Sequence, residues 1–492
     1  MLQSSKYTSA LTPVSSALRI SSTAFPPSST RSAQAFRRAF ISTPRWDKQK
    51  LVILGSGWGG YELLRKVDKA RYDVTVVSPN TYFAFTPLLA SAAVGTVDYN
   101  STLEPVRKYE QARYLQAWAD KIDIKQNKLT CMPATGSANR KRVNENTMKE
   151  DVETVGPATS FPGWRPFDLH YDKLVVAVGA YSQTFGVEGV KEHAYFLKDI
   201  RDSAKIRNRI LECFELAAQP TVTDDERKAL LHFIIVGGGP TGVEFAGELH
   251  DFLTSDLERA YPSLAPYARI TIYDTAPGIL GSFDESLAQY ATEKFIREGI
   301  RLKPNHHVTS VGEAHIEVEE EGKVPHGLLV WSTGLAPNPL IASIGELKHE
   351  ERTHSLLVNE HFNPTSQDGV VNKDIFVIGD CSSLTEKLPA TAQVASQEAR
   401  WLAKILNAQV KNRDPPGPFV YNNRGAMAYI GGWSAVLDRS QANGPKGELT
   451  GRAAWLAWRS AYFSQAMSFR NKVSLVYHWF NTWLLGRRLT RF

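Results

Sequence analysis

The stretch Leu51–Gly60 reads Leu-Val-Ile-Leu-Gly-Ser-Gly-Trp-Gly-Gly and joins a short apolar run to a glycine-rich turn. Such an apolar run is typical of a strand that is covered on both faces of a sheet. Gly55, Gly57 and Gly60 have the spacing G-x-G-x-x-G, which suits a tight turn, close approach of a pyrophosphate to the backbone, and close packing of helix on strand. The pattern predicts a strand–turn–helix unit that binds a dinucleotide at the helix N-terminus.

A second stretch of the same design begins at His232. The apolar run His232–Val236 leads into Gly-Gly-Gly-Pro-Thr-Gly and then into the helical pattern Val243–Leu249. One such loop is equally compatible with an ordinary strand–turn–helix junction, but two loops in one chain indicate two dinucleotides and electron transfer between them. The residues expected to contact the second dinucleotide are Gly237, Gly239, Pro240, Thr241 and Gly242.

The strands that follow the two loops end in different side chains. Ile270–Tyr273 ends at Asp274, whose carboxylate is placed to accept hydrogen bonds from the ribose hydroxyls of NAD and to repel a 2′-phosphate. Val74–Val77 ends at Ser78, which offers no carboxylate and is followed by proline, so a strand-ending turn and a ligand contact are both open there. The second unit is therefore predicted to prefer NADH over NADPH.

Three later strands end in small residues. The run Tyr171–Ala180 ends around Gly179, and the run that begins at Leu328 ends at Gly334, so the backbone can approach a cofactor at both places. A further strand ends at Gly379 and Asp380. Asp380 is predicted to accept a hydrogen bond from a flavin ribityl hydroxyl, and an ordinary helix N-cap is the alternative.

Composition restricts the class and location of the protein. The chain has 492 residues, and this length suggests two or three domains; its net charge is +6. Residues 1–46 contain no Asp or Glu and carry recurrent Arg among many Ser and Thr, as in a mitochondrial transit peptide. A basic tail that stays attached is the alternative. Because no long apolar stretch separates this segment from Leu51, we expect release into the matrix.

Cysteine and histidine spacing argues against several other chemistries. Cys131, Cys213 and Cys381 are far apart and form no C-x-x-C, so unpaired buried thiols are expected. No His/Cys cluster has metal spacing and no EF-hand loop is present. We expect no metal and no nucleic-acid partner. Residues from about 133 to 167 are polar and aperiodic, which predicts an exposed insertion.

The C-terminal segment predicts attachment to a membrane surface. Leu449–Phe492 contains no acidic residue and combines arginines with tryptophans and other aromatic residues, among them Trp458 and Tyr462. No uninterrupted run reaches the roughly 20 apolar residues of a membrane span. We expect the aromatic rings at headgroup depth and the cations on anionic lipid. Packing on the protein's own core or on a second copy in a homodimer is the alternative. One apolar helix face is predicted from Val473, Val476, Phe480, Trp483 and Leu484.

Several motifs together carry a family resemblance. The chain from about Leu51 onward resembles the type II, or alternative, NADH dehydrogenases of fungal and plant mitochondria. The motifs that carry it are Gly55–Gly60, Thr86–Leu89, Gly95–Val97, Gly237–Leu249, Trp331–Gly334, Gly379–Asp380 and Ala392–Glu398. The resemblance implies a non-proton-pumping NADH:ubiquinone oxidoreductase with non-covalent FAD, NADH as co-substrate, and a peripheral position on the inner membrane, for which we favour the matrix face. It also places Trp58 and Thr86 among the FAD-binding residues.

The resemblance assigns roles to three further side chains. Gln393 and Gln397 are four residues apart and share one helix face, where their amides could bond a quinone carbonyl; solvation of a helix surface is the alternative. Glu244 is a candidate to fix the nicotinamide or carry a proton, with a structural glutamate as the alternative. At Asp274 the family more often has Glu, so some use of NADPH is open.

The predicted fold class is α/β, with two Rossmann-like dinucleotide-binding domains and a C-terminal membrane-anchoring helical segment. A sulfide:quinone reductase is disfavoured because no cysteine pair is available. A flavoprotein like apoptosis-inducing factor and a non-enzymatic dinucleotide-binding module are less favoured than a quinone reductase. The expected domains are a transit peptide (1–46), an FAD domain in two parts (47–200 and 346–445, the second with the quinone motif), an inserted NADH domain (201–345) and the membrane segment (446–492).

Overall fold

The computed structural model describes residues 48–134 and 165–491. The predicted transit peptide and nearly all of the predicted insertion at 133–167 lie outside these residues. The strands are, in chain order, β1 (Gln49–Leu54), β2 (Tyr72–Ser78), β3 (Tyr82–Ala84), β4 (Leu103–Pro105), β5 (Ala112–Asp123), β6 (Lys128–Pro133), β7 (Phe167–His170), β8 (Lys173–Val176), β9 (Tyr181–Ser182), β10 (Tyr195–Phe196), β11 (His232–Val236), β12 (Arg269–Tyr273), β13 (Arg301–Lys303), β14 (Val308–Val311), β15 (His315–Val318), β16 (Gly322–Pro325), β17 (Leu328–Trp331), β18 (Leu335–Ala336), β19 (Leu356–Leu357), β20 (Ile375–Val377), β21 (Ser382–Ser383), β22 (Ala426–Tyr429), β23 (Ala435–Asp438) and β24 (Glu448–Thr450).

Helices cover the sheets and form the C-terminal segment. The α-helices of the described residues are α1 (Trp58–Lys66), α2 (Leu89–Val94), α3 (Val190–His193), α4 (Ile200–Ala217), α5 (Asp224–Leu230), α6 (Pro240–Phe252), α7 (Glu258–Ala260), α8 (Glu285–Arg297), α9 (Pro339–Ala342), α10 (Ala392–Gln409), α11 (Gly451–Gln465) and α12 (Phe469–Leu485). Short 3₁₀ segments include Thr86–Leu88 and Gly379–Cys381, and a π-helical turn, Leu253–Leu257, continues α6.

The first glycine loop follows β1, the middle one of five parallel strands in a mixed sheet. Within the described residues this sheet has seven strands in the order β20-β8-β1-β2-β5-β6-β7. Strand β1 pairs in parallel with β2 on one side and with β8 on the other, and β20 pairs in parallel with β8. The chain thus leaves the sheet after β8 and returns nearly two hundred residues later to complete it. The carboxyl ends of the parallel strands meet at one edge, where ligands bind in open α/β sheets.

The second glycine loop follows the central strand of a parallel sheet. Its order is β10-β17-β11-β12-β13, and every pair is parallel. All five residues of β11 are buried, as expected for a strand covered on both faces. Strand β10 (Tyr195–Phe196) joins this sheet ahead of the boundary expected at residue 201. The same arrangement of a central strand with neighbours on both sides therefore occurs twice.

The C-terminal helices combine a buried face with an exposed apolar face. Trp458 of α11 and Leu475 and Trp479 of α12 pack into the main hydrophobic core. The expectation that Trp458 and Tyr462 lie at lipid headgroup depth is wrong, because Trp458 is 3% exposed and Tyr462 is half-buried and lines a cavity of the protein. The predicted apolar face of α12 is exposed: Val473 53%, Val476 50%, Phe480 54%, Trp483 62% and Leu484 58%.

Buried ion pairs fix the end of α12 to the rest of the protein. The Arg487 guanidinium donates to Asp256 at 2.8 Å and to the Thr96 hydroxyl at 3.0 Å, and it lies 3.5 Å from Glu248. Glu248 also accepts hydrogen bonds from Ser91 and Thr96, each at 2.6 Å. None of the helices in residues 48–134 and 165–491 has the length and apolarity required to cross a bilayer.

Candidate active site between the two glycine loops

A cavity of about 1960 Å³ lies at the carboxyl ends of the parallel strands of both sheets. Its volume is about twice the upper end of the roughly 300–1,000 Å³ of a typical small-molecule pocket. Predicted site residues that line it are Gly55, Gly57, Trp58, Ser78, Thr86, Gly179, Pro240, Thr241, Glu244, Gly334, Gly379 and Asp380. Predicted site residues outside its lining are Gly60, Gly237, Gly239, Gly242, Asp274, Gln393 and Gln397. One space is therefore reached from both glycine loops.

The first glycine of each loop adopts the same conformation. Gly55 has φ +101° and Gly237 has φ +114°, a region that favours glycine. The N–H of each donates at 2.8 Å to the last or next-to-last carbonyl of the neighbouring strand, Val77 in the first sheet and Tyr273 in the second. The positive φ requires a glycine where strand turns into helix, and at Gly55 a Cβ would also lie 2.2 Å from the Ala177 carbonyl oxygen.

The third glycine of each loop allows close packing of the helix. A Cβ on Gly60 would lie 2.1 Å from the Gly55 carbonyl oxygen, and a Cβ on Gly242 would lie 2.0 Å from that of Gly237. Any side chain at these positions would push the helix away from the strand. Their part in binding is therefore indirect, which agrees with their place outside the cavity lining.

The helix N-termini behind the loops are suited to an anion. Gly57 and Gly239 are the N-cap residues of helices α1 and α6, and as glycines they have no side chain to satisfy the first-turn N–H groups. A Cβ on Gly57 or Gly239 would meet no atom within 4 Å. By contrast, α4 and α10 are capped by the side chains of Asp199 and Thr391. Free N–H groups beside open space fit a dinucleotide pyrophosphate at both loops.

Two groups of hydrogen-bonded side chains lie around the first loop. Ser78 shares a hydrogen bond of 2.9 Å with Ser56, whose hydroxyl oxygen also lies 3.2 Å from the Asn80 carbonyl oxygen and 3.0 Å from that of Tyr82, so that its single proton can be donated to either. Ser78 is thus part of the turn itself. The Trp58 indole N–H donates to the Thr86 hydroxyl at 2.9 Å, so the structure brings these two predicted residues together.

Asp380 lies opposite a lysine that sequence reasoning missed. Burial raises the pKa of Asp380, and the Lys198 ammonium opposes that rise. Burial also lowers the pKa of Lys198, which lines the same cavity. The backbone beside Lys198 is fixed because Asp202 accepts from the N–H groups of Lys198 and Asp199 at 2.9 and 2.8 Å. No sequence motif links positions 198 and 380.

Asp274 is bound to the second glycine loop. Its Oδ2 accepts from the Gly238 N–H at 2.5 Å and its Oδ1 from the Ala276 N–H at 2.7 Å. The carboxylate is therefore held at the edge of the turn beside the N-terminus of α6, where a ribose is expected in this fold.

The small-residue turns after β8 and β17 lie against each other. Strand β9, which follows Gly179, pairs with β18, which follows Gly334. The Trp331 indole N–H donates to the Gln183 carbonyl at 2.9 Å. Gly179 and Gly334 have φ +66° and +73°. These contacts join the backbone between the two sheets where it lines the cavity.

Glu244 is a cavity residue with an unusual environment. Its Oε1 accepts from the indole N–H of Trp458 at 3.1 Å and from the backbone N–H of Tyr429 at 3.2 Å. Desolvation raises the pKa of Glu244 to about 8, and the two hydrogen bonds oppose the rise. A carboxyl group with a pKa near neutrality can hold and release a proton at cellular pH.

The glutamine pair binds a backbone segment. Gln393 Oε1 accepts from the Arg424 N–H at 2.8 Å, and its Nε2 donates to the Gly425 carbonyl at 3.2 Å. Gln397 binds the N–H and carbonyl of Asn422 in the same way. The two amides therefore share one helix face, as expected, but that face meets residues 422–425. A quinone carbonyl would have to compete for amides that already have partners.

Tyr462 of α11 brings an aromatic ring from the C-terminal segment into the cavity lining. Tyr462 lines it four residues beyond Trp458, and their rings meet edge to face at 4.8 Å. Met427 lines it from β22. The spacing of Trp458 and Tyr462 was visible in the sequence, but α11 has aromatic residues on several sides, so spacing alone did not show which side faces inward.

Comparison with known proteins agrees with this geometry. The family model described as pyridine nucleotide-disulphide oxidoreductase matches residues 49–399, and the NDH2 C-terminal domain model matches residues 423–488. The internal alternative NAD(P)H-ubiquinone oxidoreductase A1 of Solanum tuberosum is 37% identical, over 90% of this chain and 88% of that protein. The external NADH-ubiquinone oxidoreductase 2 of Saccharomyces cerevisiae is 35% identical, over 89% and 82%.

Solved structures give the same result. NDH2 from Plasmodium falciparum, in complex with NADH, superposes with a TM-score of 0.79 at 25% identity, covering 90% of this chain and 100% of that chain. A sulfide:quinone oxidoreductase of Aquifex aeolicus, at 17% identity and a TM-score of 0.61, shares the fold alone. In this chain all three cysteines are buried and unpaired.

The fold and the cavity thus define a pyridine-nucleotide-dependent oxidoreductase of the two-dinucleotide flavoenzyme class. Within that class, the chain belongs to the type II, or alternative, NAD(P)H-ubiquinone oxidoreductases of mitochondria. The family resemblance deduced from the sequence motifs is confirmed.

Proposed function

We propose that the protein oxidises NADH and reduces membrane ubiquinone in the respiratory chain without pumping protons. The observation that carries this proposal is the single cavity that both glycine loops reach, with Glu244 in its wall. Two dinucleotides that share one cavity can exchange electrons by direct contact. The chain's main contribution is then to hold the reacting groups together and to exclude water.

The FAD site belongs to the first sheet. Residues 47–200 and 346–445 supply its parts, and the N-terminus of α1, Trp58, Thr86 and Asp380 would hold FAD. The free N–H groups and open space at Gly57 fit its pyrophosphate. When bound, FAD supplies the two-electron carrier between NADH and quinone. Lys198 would keep Asp380 charged and able to accept a hydrogen bond from a hydroxyl group.

The NADH site belongs to the second sheet, within residues 201–345 together with strand β10. The N-terminus of α6 at Pro240 and Thr241 would bind the NADH pyrophosphate, and Asp274 would bind its ribose hydroxyls. Gly334 and Gly179 lie where the two units meet, so their backbone would border the nicotinamide. Glu244 lies at the start of the second turn of α6 and would hold a proton beside the reacting groups.

The quinone would enter at the end of the cavity formed by Met427, Tyr462 and Glu244. Gln393 and Gln397 would contribute by holding residues 422–425, which precede Met427 on the same segment. Glu244 would donate or relay a proton toward a reduced quinone oxygen, since its raised pKa keeps it protonated near pH 7.

The exposed apolar face of α12 would attach the protein to the inner membrane. Its five exposed apolar residues lie among arginines, and no acidic residue occurs from Leu449 onward. Such a surface suits insertion at the level of the headgroups of an anionic bilayer. A homodimer that pairs through this segment is part of the proposal. We favour the matrix face because residues 1–46 have the composition of a transit peptide and no long apolar stretch separates them from Leu51. Relatives named internal and external both match.

Reconstitution tests the proposed function. The purified protein is bound to liposomes that contain ubiquinone and a trapped pH-sensitive dye. We expect quinone-dependent NADH oxidation with no change in internal pH beyond that of a protein-free control. A slow NADH oxidation that quinone does not accelerate would contradict the proposal. A lasting internal pH change would contradict its non-pumping part.

A further inference from the structure

Trp458 connects the C-terminal segment with the Glu244 carboxylate. Its indole N–H and the Tyr429 backbone N–H both donate to Oε1 of Glu244, at 3.1 and 3.2 Å. Oε2 is not hydrogen-bonded by any residue that the structure describes. Because Glu244 lines the cavity, Oε2 is the oxygen available to a substrate there.

We propose that Trp458 is a positioning residue for Glu244, which fixes one carboxylate oxygen so that the other faces the cavity. This inference rests on the proposed role of Glu244 in quinone reduction. Aromatic neighbours hold the indole in place, since the rings of Tyr429 and Tyr462 lie 5.5 and 4.8 Å from it. A rigid donor limits the orientations of the carboxylate and favours its charged form.

The opposite side of the same helix is exposed and apolar. Trp458 is buried, whereas Leu456 and Phe463 of α11 are 58% and 38% exposed. The helix that would lie against lipid therefore also holds the cavity carboxylate. The position of Glu244 depends on the C-terminal segment being folded onto the dinucleotide-binding units.

Few titratable groups face Glu244. Among the described residues, Glu248 lies one turn along α6 and raises the pKa of Glu244, and Tyr462 faces Glu244 from α11. Tyr429 of β22 contacts Glu244 through its backbone N–H, since its phenol hydroxyl donates to Asp251. Burial is the largest cause of the raised pKa, and the Trp458 hydrogen bond lowers it. Loss of the indole donor should therefore raise the pKa of Glu244 further.

The experiment compares Trp458→Phe with Trp455→Phe, which removes an indole N–H from the same helix without touching Glu244. The reoxidation rate of the NADH-reduced protein by a short-chain ubiquinone is measured across pH, with Glu244→Gln as reference. In the unmodified protein, we expect the plot of reoxidation rate against pH to contain a limb that reports the titration of Glu244 and that is absent in Glu244→Gln. In Trp458→Phe this limb should lie about one pH unit higher. Trp455→Phe should leave the limb in place, and its flavin should be reduced by NADH at the rate seen in the unmodified protein.

The outcomes separate the inference from the proposed function. If Glu244→Gln removes the limb but Trp458→Phe leaves it at the same pH, the proposed role of Trp458 is overturned and that of Glu244 is not. A limb that persists in Glu244→Gln overturns the role of Glu244. If Trp458→Phe does not retain flavin, biosynthetic incorporation of 5-fluorotryptophan replaces it. Its more acidic N–H should shift the limb downward, and an unmoved limb would overturn the inference.

Discussion

The side-chain amide of Gln397 forms two hydrogen bonds with the backbone of Asn422. The Asn422 N–H donates to Oε1 at 3.0 Å, and Nε2 donates to the Asn422 carbonyl at 2.9 Å. Gln393 repeats this pattern with Arg424 and Gly425 one turn earlier on α10. Two amides on one helix face thus hold the segment that leads into Met427 and the cavity.

Replacing Gln397 with alanine should affect quinone and spare NADH. Two hydrogen bonds of about 1 kcal/mol each are lost, which loosens residues 422–425. We expect the KM for ubiquinone to rise roughly tenfold, equivalent to about 1.4 kcal/mol, with an unchanged rate of flavin reduction by NADH. Gln409→Ala, at the exposed end of the same helix, is the control. An unchanged KM in Gln397→Ala would show that the segment does not shape the quinone site.

Asp274 should control the choice between NADH and NADPH. Asp274→Asn keeps an oxygen for the Gly238 N–H but removes the charge that repels a 2′-phosphate. The ratio of kcat/KM for NADH to that for NADPH should fall on the order of tenfold. Asp368→Asn, on an exposed loop, serves as the control. Equal ratios in Asp274→Asn and the unmodified protein would place the ribose elsewhere.

Glu398 should make stability depend on pH. It is buried and accepts from the Gly379 N–H at 2.6 Å, and burial raises the pKa of Glu398 to about 7 from its ordinary value near 4.5. The unfolded chain therefore loses this proton first, so its contribution to stability is present below pH 4.5 and is lost as pH rises to 7. Each unit of the shift corresponds to about 1.4 kcal/mol.

Glu398→Gln should remove this dependence because the amide oxygen can still accept from Gly379 and carries no charge. The midpoint of thermal unfolding should fall less between pH 4 and pH 8 in Glu398→Gln than in the unmodified protein, because these two pH values lie on either side of the ordinary and the raised pKa of Glu398. Glu386→Gln, an exposed substitution, should behave like the unmodified protein. Parallel pH curves for all three proteins would refute the prediction.

The exposed face of α12 should determine membrane binding. A variant with Val476, Phe480 and Trp483 replaced by serine loses apolar surface that the protein's own core does not use. We expect it to stay in the supernatant when anionic liposomes are sedimented, and to keep its activity with a water-soluble quinone analogue. Ile296→Ser/Val370→Ser removes exposed apolar residues from other elements and should leave binding intact. Full sedimentation of the triple variant would contradict an interfacial role for α12.

The sequence predicted the parts of the site that depend on local backbone geometry. Glycine loops were found because Gly55 and Gly237 need a conformation that other residues rarely adopt, and Asp274 because it ends the next strand. Both features depend on residues that are close together in the sequence. The apolar face of α12 follows a helical period and was identified for the same reason.

The rest of the site depends on contacts between distant segments. Lys198 faces Asp380, and Trp458 meets Glu244 more than two hundred residues away. The glutamine pair was placed on one helix face, but the sequence did not show that residues 422–425 would cover that face. Tertiary packing decides such contacts, and no period or spacing in the chain encodes them.

The most direct test of the central claim is an anaerobic stopped-flow record of flavin absorbance, first with NADH and then with a short-chain ubiquinone. We expect rapid bleaching by NADH followed by rapid return of the absorbance when quinone is added. Rapid bleaching without return on addition of quinone would contradict a quinone reductase and would indicate a different electron acceptor.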